Sequence, residues 1–176
     1  MSTNSTLYKK LLGVGLGSAL AISGSFLIAP SEGLVNKTYK DPIGIITACR
    51  GHVDSTLKMG QTFTTDQCDA IFADDLVKHD KQLLSVVTVP FKSDYEHAAM
   101  LSFVYNVGIG KFKSSTMLKD LNKGDHEGAC SELVKWTRAG GTVMKGLVIR
   151  RTLEHQYCVG EVPLEVKDLV QGQTTK

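Results

Sequence analysis

Glu32 and Asp41 stand nine residues apart, and Thr47 follows six residues later. Two carboxyl groups and a hydroxyl are equipment for moving protons around a polar bond. One carboxyl, kept protonated, can give its proton to a leaving oxygen. The other, ionised, can orient or deprotonate a water or steady positive charge, and the hydroxyl can help hold that water. Hydrolysis of a glycosidic bond has these requirements. The division of labour needs two environments, a poorly solvated one for the acid and a polar one for its partner. Spacing alone does not establish such a pair, because most Glu and Asp side chains are simply solvated.

The elements expected around these residues form an α+β domain, a small sheet lobe followed by a helical lobe with a cleft between them. Glu32 to about Tyr39 reads as a short helix, Asp41-Pro42 as a turn, Ile43 to Thr47 as a short strand, and Gly51 to Gly60 as turns. Thr64-x-x-Gln67 is a capping-box pattern and Ser93-x-x-Glu96 a second helix start. Further helices are expected over 114–122, 125–138 and 145–158, with Gly140-Gly141 joining the last two. Residues 159–176 carry no strong period and read as a loose tail.

The 176 residues carry a formal net charge of +2, and both surplus charges, Lys9 and Lys10, lie in the first thirty residues. The remainder holds 18 basic and 18 acidic residues, which excludes a clustered basic face of the kind nucleic acid requires. There is no P-loop, paired CxxC or GxGxxG pattern. Leu11 to Pro30 is a run of twenty residues without charge, just long enough to cross a bilayer core, and the lysines before it favour a cytoplasmic N-terminus. Four glycines and three serines make it a weak span. It lacks the cleavage site of a signal peptide, since Ile28-Ala29-Pro30 is no A-x-A-like end. Gly13, Gly17 and Ala21 fall at four-residue spacing, a pattern that can also pair helices.

Several stretches, in order, resemble the phage-type lysozymes of glycoside hydrolase family 24. They are Glu32-Gly33-Leu34, Tyr39-x-Asp41, Gly44-Ile45-Ile46-Thr47 and Gly51-His52, then Leu101 to Gly108, Phe112 with Ser114-Ser115-Thr116, Trp136-Thr137-x-Ala139-Gly140-Gly141, and Gly146-Leu147 before Arg150-Arg151. The likeness spans about residues 31–158. With the N-terminal run included, the chain resembles the signal-arrest-release endolysins of phages that infect Gram-negative bacteria.

The resemblance implies a lysozyme-like domain over 31–158, preceded by a membrane segment over 1–30 and followed by the tail. It implies an N-acetylmuramidase that hydrolyses the β-1,4 bond of peptidoglycan for host lysis, with no cofactor or metal. Glu32 would be the general acid, Asp41 the residue that acts on the water or the sugar charge, and Thr47 a holder of that water. Tyr105, Asn106 and Ser115 become candidates for sugar contacts, although Tyr105 could be core and Ser115 a helix cap. His52 fits a structural role, paired with Asp75 or Asp74. Trp136 and Phe112 read as packing residues. Arg150 and Arg151 read as a solvated helix face, or one of them as a cation within reach of Glu32. A lytic transglycosylase and a non-catalytic anchored wall-binding module are the rival functions.

Residues 11–30 would hold the chain in the host inner membrane, facing the periplasm and inactive. Release to the periplasm as a monomer would follow, linked functionally to a holin. Cys49, Cys68, Cys130 and Cys158 allow three pairings, and their positions point to Cys49–Cys68 and Cys130–Cys158. None lies in the span, so control should act through refolding around Glu32 rather than through thiol exchange.

Overall fold

The computed structural model describes residues 3–41 and 43–172, so Pro42 of the expected turn and residues 173–176 of the expected tail lie outside the described residues. The N-terminal run is not one helix. It comprises α1 (Thr3–Gly13), α2 (Ser18–Ile22), a π-helical turn over Ser23–Ile28, and α3 (Ala29–Glu32). Gly15, at φ +90°, makes the break between α1 and α2, a backbone conformation that side chains with a Cβ rarely adopt. No helix among the described residues is long and apolar enough to cross a membrane.

The broken run is instead part of the core. Leu7, Tyr8, Leu11, Ile22, Leu27 and Ile28 are all buried, and they join Phe72, Leu76, Leu83 and the interior of the central helix in one cluster. Burying side chains of this size contributes about 1.5–3 kcal/mol each before entropy is counted. Gly24 fits because it has no side chain: a Cβ there would lie 2.7 Å from Leu76 Cδ1 and 2.9 Å from Leu11 Cδ1.

The expected helix over 32–39 is instead the end of α3 and a strand. Gly33, at φ +72°, stops the helix directly after Glu32. Val35, Thr38 and Tyr39 then favour extended backbone, giving β1 (Val35–Lys40). The expected strand over 43–47 is shifted to β2 (Ile46–Cys49), because the amides of Ile43 and Ile45 are taken by the Asp41 side chain in the turn. The two strands are antiparallel, with Tyr39 opposite Thr47 and an irregularity between Val35 and Tyr39.

The helical lobe follows. α4 (Thr65–Leu84) begins at a complete capping box between Thr64 and Gln67. α5 (Asp94–Val107), capped by Ser93, is the central helix, with Ala98 to Val104 buried without a gap. α6 (Ile109–Lys113), α7 (Thr116–Asn122) and α8 (His126–Glu132) wrap around it. The helix expected over 125–138 ends early, in a 3-10 turn over Leu133–Lys135. Gly140 and Gly141, at φ +56° and +81°, then close a small hairpin of β3 (Arg138–Ala139) and β4 (Thr142–Val143), the paired positive φ values of a tight hairpin turn. α9 (Lys145–Cys158) packs along α5.

The tail is not loose: α10 (Leu164–Gln171) follows Pro163 and docks by the buried Val166, with Leu169 and Val170 against the core at helical spacing. Disulfides join Cys49 to Cys68 and Cys130 to Cys158. The first ties the strand lobe to α4, and the second ties α8 to α9.

If the N-terminal run is core, trimming it costs what trimming core costs. Ile22→Ala, at a fully buried position, should destabilise the protein by about 2–5 kcal/mol in denaturant unfolding. Val14→Ala, at an exposed position in the same run, should change stability by less than about 0.5 kcal/mol.

Candidate active site

Glu32 is the last residue of α3, and its carboxyl points back to the far end of the chain. Arg150 Nη1 on α9 donates to Glu32 Oε1 at 2.6 Å. The Glu32 side chain is 25% exposed and that of Arg150 only 7%. Gly51 lies on the other side, where a Cβ would come 3.4 Å from Glu32 Oε2 and the φ of +81° already disfavours any side chain.

Behind Arg150 is a buried polar network. Arg150 Nε donates to Glu154 Oε1 at 3.2 Å and Nη2 to the Ser102 carbonyl at 3.3 Å. Ser102 Oγ donates to the same Glu154 oxygen at 2.6 Å. Arg151 forms an ion pair with Glu154 Oε2 at 3.0 Å and donates to Asn106 Oδ1 at 2.5 Å. Its guanidinium also sits 4.8 Å from the centre of the Phe103 ring. Burial pushes the Glu154 carboxyl up, against the pull of the two arginines, and lowers Arg151.

Asp41 lies in the turn between β1 and β2. Its Oδ1 accepts from the Ile43 and Ile45 amides at 3.0 and 2.8 Å, which fixes the carboxylate to the turn's own backbone. Thr47 is buried on β2, its Oγ1 donating to the Ile45 carbonyl at 3.2 Å. Tyr39, opposite Thr47, is raised by burial and then by the charges of both Glu32 and Asp41. One tyrosine thus senses both carboxylates of the sequence pattern.

Tyr105 is mostly buried, which pushes its phenol up, and its hydroxyl donates to the Arg50 carbonyl at 3.0 Å. Ser115 is 5% exposed; it caps α7 by accepting from Leu118 N at 3.1 Å and donates to the Phe112 carbonyl at 2.7 Å. Those bonds commit Ser115 to the fold rather than to an open groove. Asn106 serves Arg151. His52 Nδ1 lies 2.8 Å from Asp75 Oδ2, a pairing that ties the strand lobe to α4. Phe112 is buried and Trp136 packs edge-on against Phe103, both as parts of the core. Among the described residues, the grouping with metal-ligand spacing is Glu96, Cys130 and Cys158, and both sulfurs are used by the disulfide.

The arginine network is the part of the site that sequence reading left open. The signal was present as Arg150-x-x-x-Glu154, a spacing that places the two side chains on one helix face. Nothing local marked that face as buried.

The phage lysozyme family model matches residues 29–154. The chain belongs to the phage lysozyme family. This phage lysozyme is 36% identical over 164 residues to a SAR-endolysin of Bacteriophage PS119, covering 90% of this chain and 98% of that one. It is 38% identical over 148 residues to a SAR-endolysin of Enterobacteria phage PA-2, covering 81% and 89%. Among solved structures, the active form of P1 phage endolysin Lyz superposes with a TM-score of 0.78 at 22% identity, covering 92% of this chain and 97% of that one. A mutant of P22 lysozyme superposes at 0.69 with 29% identity, covering 78% and 95%. Family membership makes the chain an endolysin of lysozyme type, a glycoside hydrolase with the lysozyme-like α+β fold.

The network makes a specific demand on Arg150. Arg150→Met would leave Glu154 and Glu32 without their common partner, and should cost about 3–5 kcal/mol in denaturant unfolding.

Proposed function

We propose that this lysozyme is an N-acetylmuramidase of glycoside hydrolase family 24, cleaving the β-1,4 bond between N-acetylmuramic acid and N-acetylglucosamine in peptidoglycan. Glu32 acts as the general acid, protonating the glycosidic oxygen. Asp41 orients or deprotonates the attacking water, or steadies charge on the ring, and Thr47 helps hold that water. The observation that carries the reading is the placement of Glu32: a partly exposed carboxyl on the end of a short helix, aimed by Arg150, beside a hairpin whose turn fixes Asp41. Inversion at the anomeric carbon would require the two carboxyl groups to be roughly 6.5–9.5 Å apart, leaving room for water. Sugar contacts are assigned to Tyr105 and Asn106 at the end of α5, where Asn106 is exposed and Tyr105 half-buried.

The catalytic domain is taken as residues 31–158, with 1–30 as its controlling segment. While residues 11–30 lie in the host inner membrane, Leu27, Ile28 and Ala29 are in lipid and cannot also fill the core that precedes Glu32. The acid is then out of place and the enzyme, facing the periplasm, is silent. A holin that collapses the membrane potential speeds escape, and the freed run folds onto the body of a periplasmic monomer. The similarity to SAR-endolysins and the burial of this run in the core support the proposal.

Mass analysis of fragments released from purified cell wall tests the chemistry. Hydrolysis should yield ordinary reducing ends, and Glu32→Gln should lower their release by about 10²–10⁴-fold while the protein stays folded. Ends carrying 1,6-anhydro sugars would instead identify a lytic transglycosylase, and full lysis by Glu32→Gln a non-catalytic module. Gly13 and Gly17 have open space around them in the folded enzyme, so leucine at both raises the hydrophobicity of the run without crowding the core. Gly13→Leu with Gly17→Leu should hold the protein in the membrane fraction and delay lysis; lysis at the parent's time would refute the release mechanism.

A further inference from the structure

We propose that Arg50 is a positioning residue for the acid at position 32, and that Asp69 sets Arg50 while taking Lys10 of α1 as its second partner. The inference rests on the reading of Glu32 as general acid and concerns how that residue's backbone is held.

Arg150 fixes the Glu32 carboxyl but not the chain that carries it. The next residue, Gly33, leaves helical geometry at φ +72°, before β1 begins at Val35. Arg50 reaches this joint: its Nη1 donates to the Gly33 carbonyl at 3.4 Å. Its guanidinium lies 5.5 Å from the centre of the Phe72 ring on α4. Its Nη2 is 3.6 Å from Asp69 Oδ1, also on α4, an ion pair rather than a hydrogen bond. Its own carbonyl accepts from the Tyr105 hydroxyl of α5 at 3.0 Å. Both side chains of the pair are largely screened from water, Arg50 at 11% and Asp69 at 12% exposure. Arg50 is therefore braced on two helices of the large lobe, and its free arm is on the residue after the acid.

Asp69 has a second client. Lys10 Nζ lies 2.9 Å from Asp69 Oδ2 and 3.0 Å from Asp66 Oδ1. With a cation on each oxygen, the Asp69 carboxylate is held between α1 and Arg50. Without Lys10 it is free to turn both oxygens to the guanidinium fork, the preferred carboxylate–arginine geometry. That turn would draw Arg50 toward α4 and lengthen its already long bond to Gly33. Docking of α1 and placement of the acid thus share one carboxylate. The Lys10 pair is half exposed and contributes little to stability, so its effect should be felt in catalysis before it is felt in unfolding.

Steady-state kinetics on the full-length released protein, with soluble peptidoglycan fragments as substrate, separates this from a merely structural ion pair. Arg50→Met keeps an unbranched side chain of similar length but removes the guanidinium, and should lower kcat about tenfold, the scale of a small misplacement of a catalytic group. KM should stay within about twofold, and the loss in kcat, taken per folded molecule, should persist after any fall in melting temperature is allowed for. Arg50→Lys should recover part of the loss. Lys10→Met should lower kcat a few-fold in the parent and have no effect in an Asp69→Asn background, because the two act through one carboxylate. The half-exposed Lys10 keeps the test available should Arg50 variants fold poorly. Parent-like kcat in Arg50→Met, a loss matched by a smaller folded fraction, or equal Lys10→Met effects in both backgrounds would overturn the proposal. Glu32→Gln in the same assay is the control: retained activity there would refute the acid assignment and not the bracing by Arg50.

Discussion

The structure turns on a count of buried charges. Arg150 and Arg151 are both drawn into the interior of the helical lobe, and Glu154 between them supplies one negative charge. Glu32, from the opposite end of the sequence, supplies the second carboxyl partner by accepting from Arg150. Removing ions from water is costly unless each finds a partner, and a cluster left with an excess of one sign is worse than none. Residues 29–32 therefore do more than carry a reactive group; they complete an electrostatic arrangement that α5 and α9 cannot finish by themselves. The helical lobe and the acid are interdependent for this reason, and any state that withholds Glu32 leaves Arg150 without one of its carboxyl partners.

The same dependence explains the composition of the N-terminal run. Its large side chains, Leu7, Leu11, Ile22, Leu27 and Ile28, are those of a protein core. Its small ones serve shape. Gly15 permits the chain to double back between α1 and α2, and Gly24 lets the π-helical turn lie directly on Leu76 and Phe72. A uniformly apolar helix would be a better membrane span and a worse building block, because it could neither break nor approach α4 so closely.

Much of this was readable from the chain. The α+β division, the caps of α4 and α5 and the order of the lysozyme-like stretches are local signals, each carried by a few neighbouring residues. What could not be read was decided at a distance or by one backbone angle. Gly33 converts an expected helix into a strand, and Asp41 displaces the next strand by claiming two amides. Gly140-Gly141, which looks like a linker between helices, is a hairpin turn because both residues adopt positive φ. α10 has an apolar face of Val166, Leu169 and Val170, but eight residues are too few to read as a helix without the core that face meets. Which of Arg150 and Arg151 reaches position 32, and that Arg50 reaches position 33, has no local signature, because contacts spanning 118 and 17 residues are made only by the fold.

The hydroxyls of Tyr8, Ser23 and Ser25 are buried with no hydrogen-bond partner among the described residues. In most enzymes such groups would be easy targets for improvement by aliphatic replacements. Under the proposed release mechanism that route is closed at Ser23 and Ser25, since each methyl group gained there inside the protein would also be gained inside the lipid. On that proposal, heat resistance and the timing of the burst would be set by the same few atoms, and selection could not adjust one without moving the other.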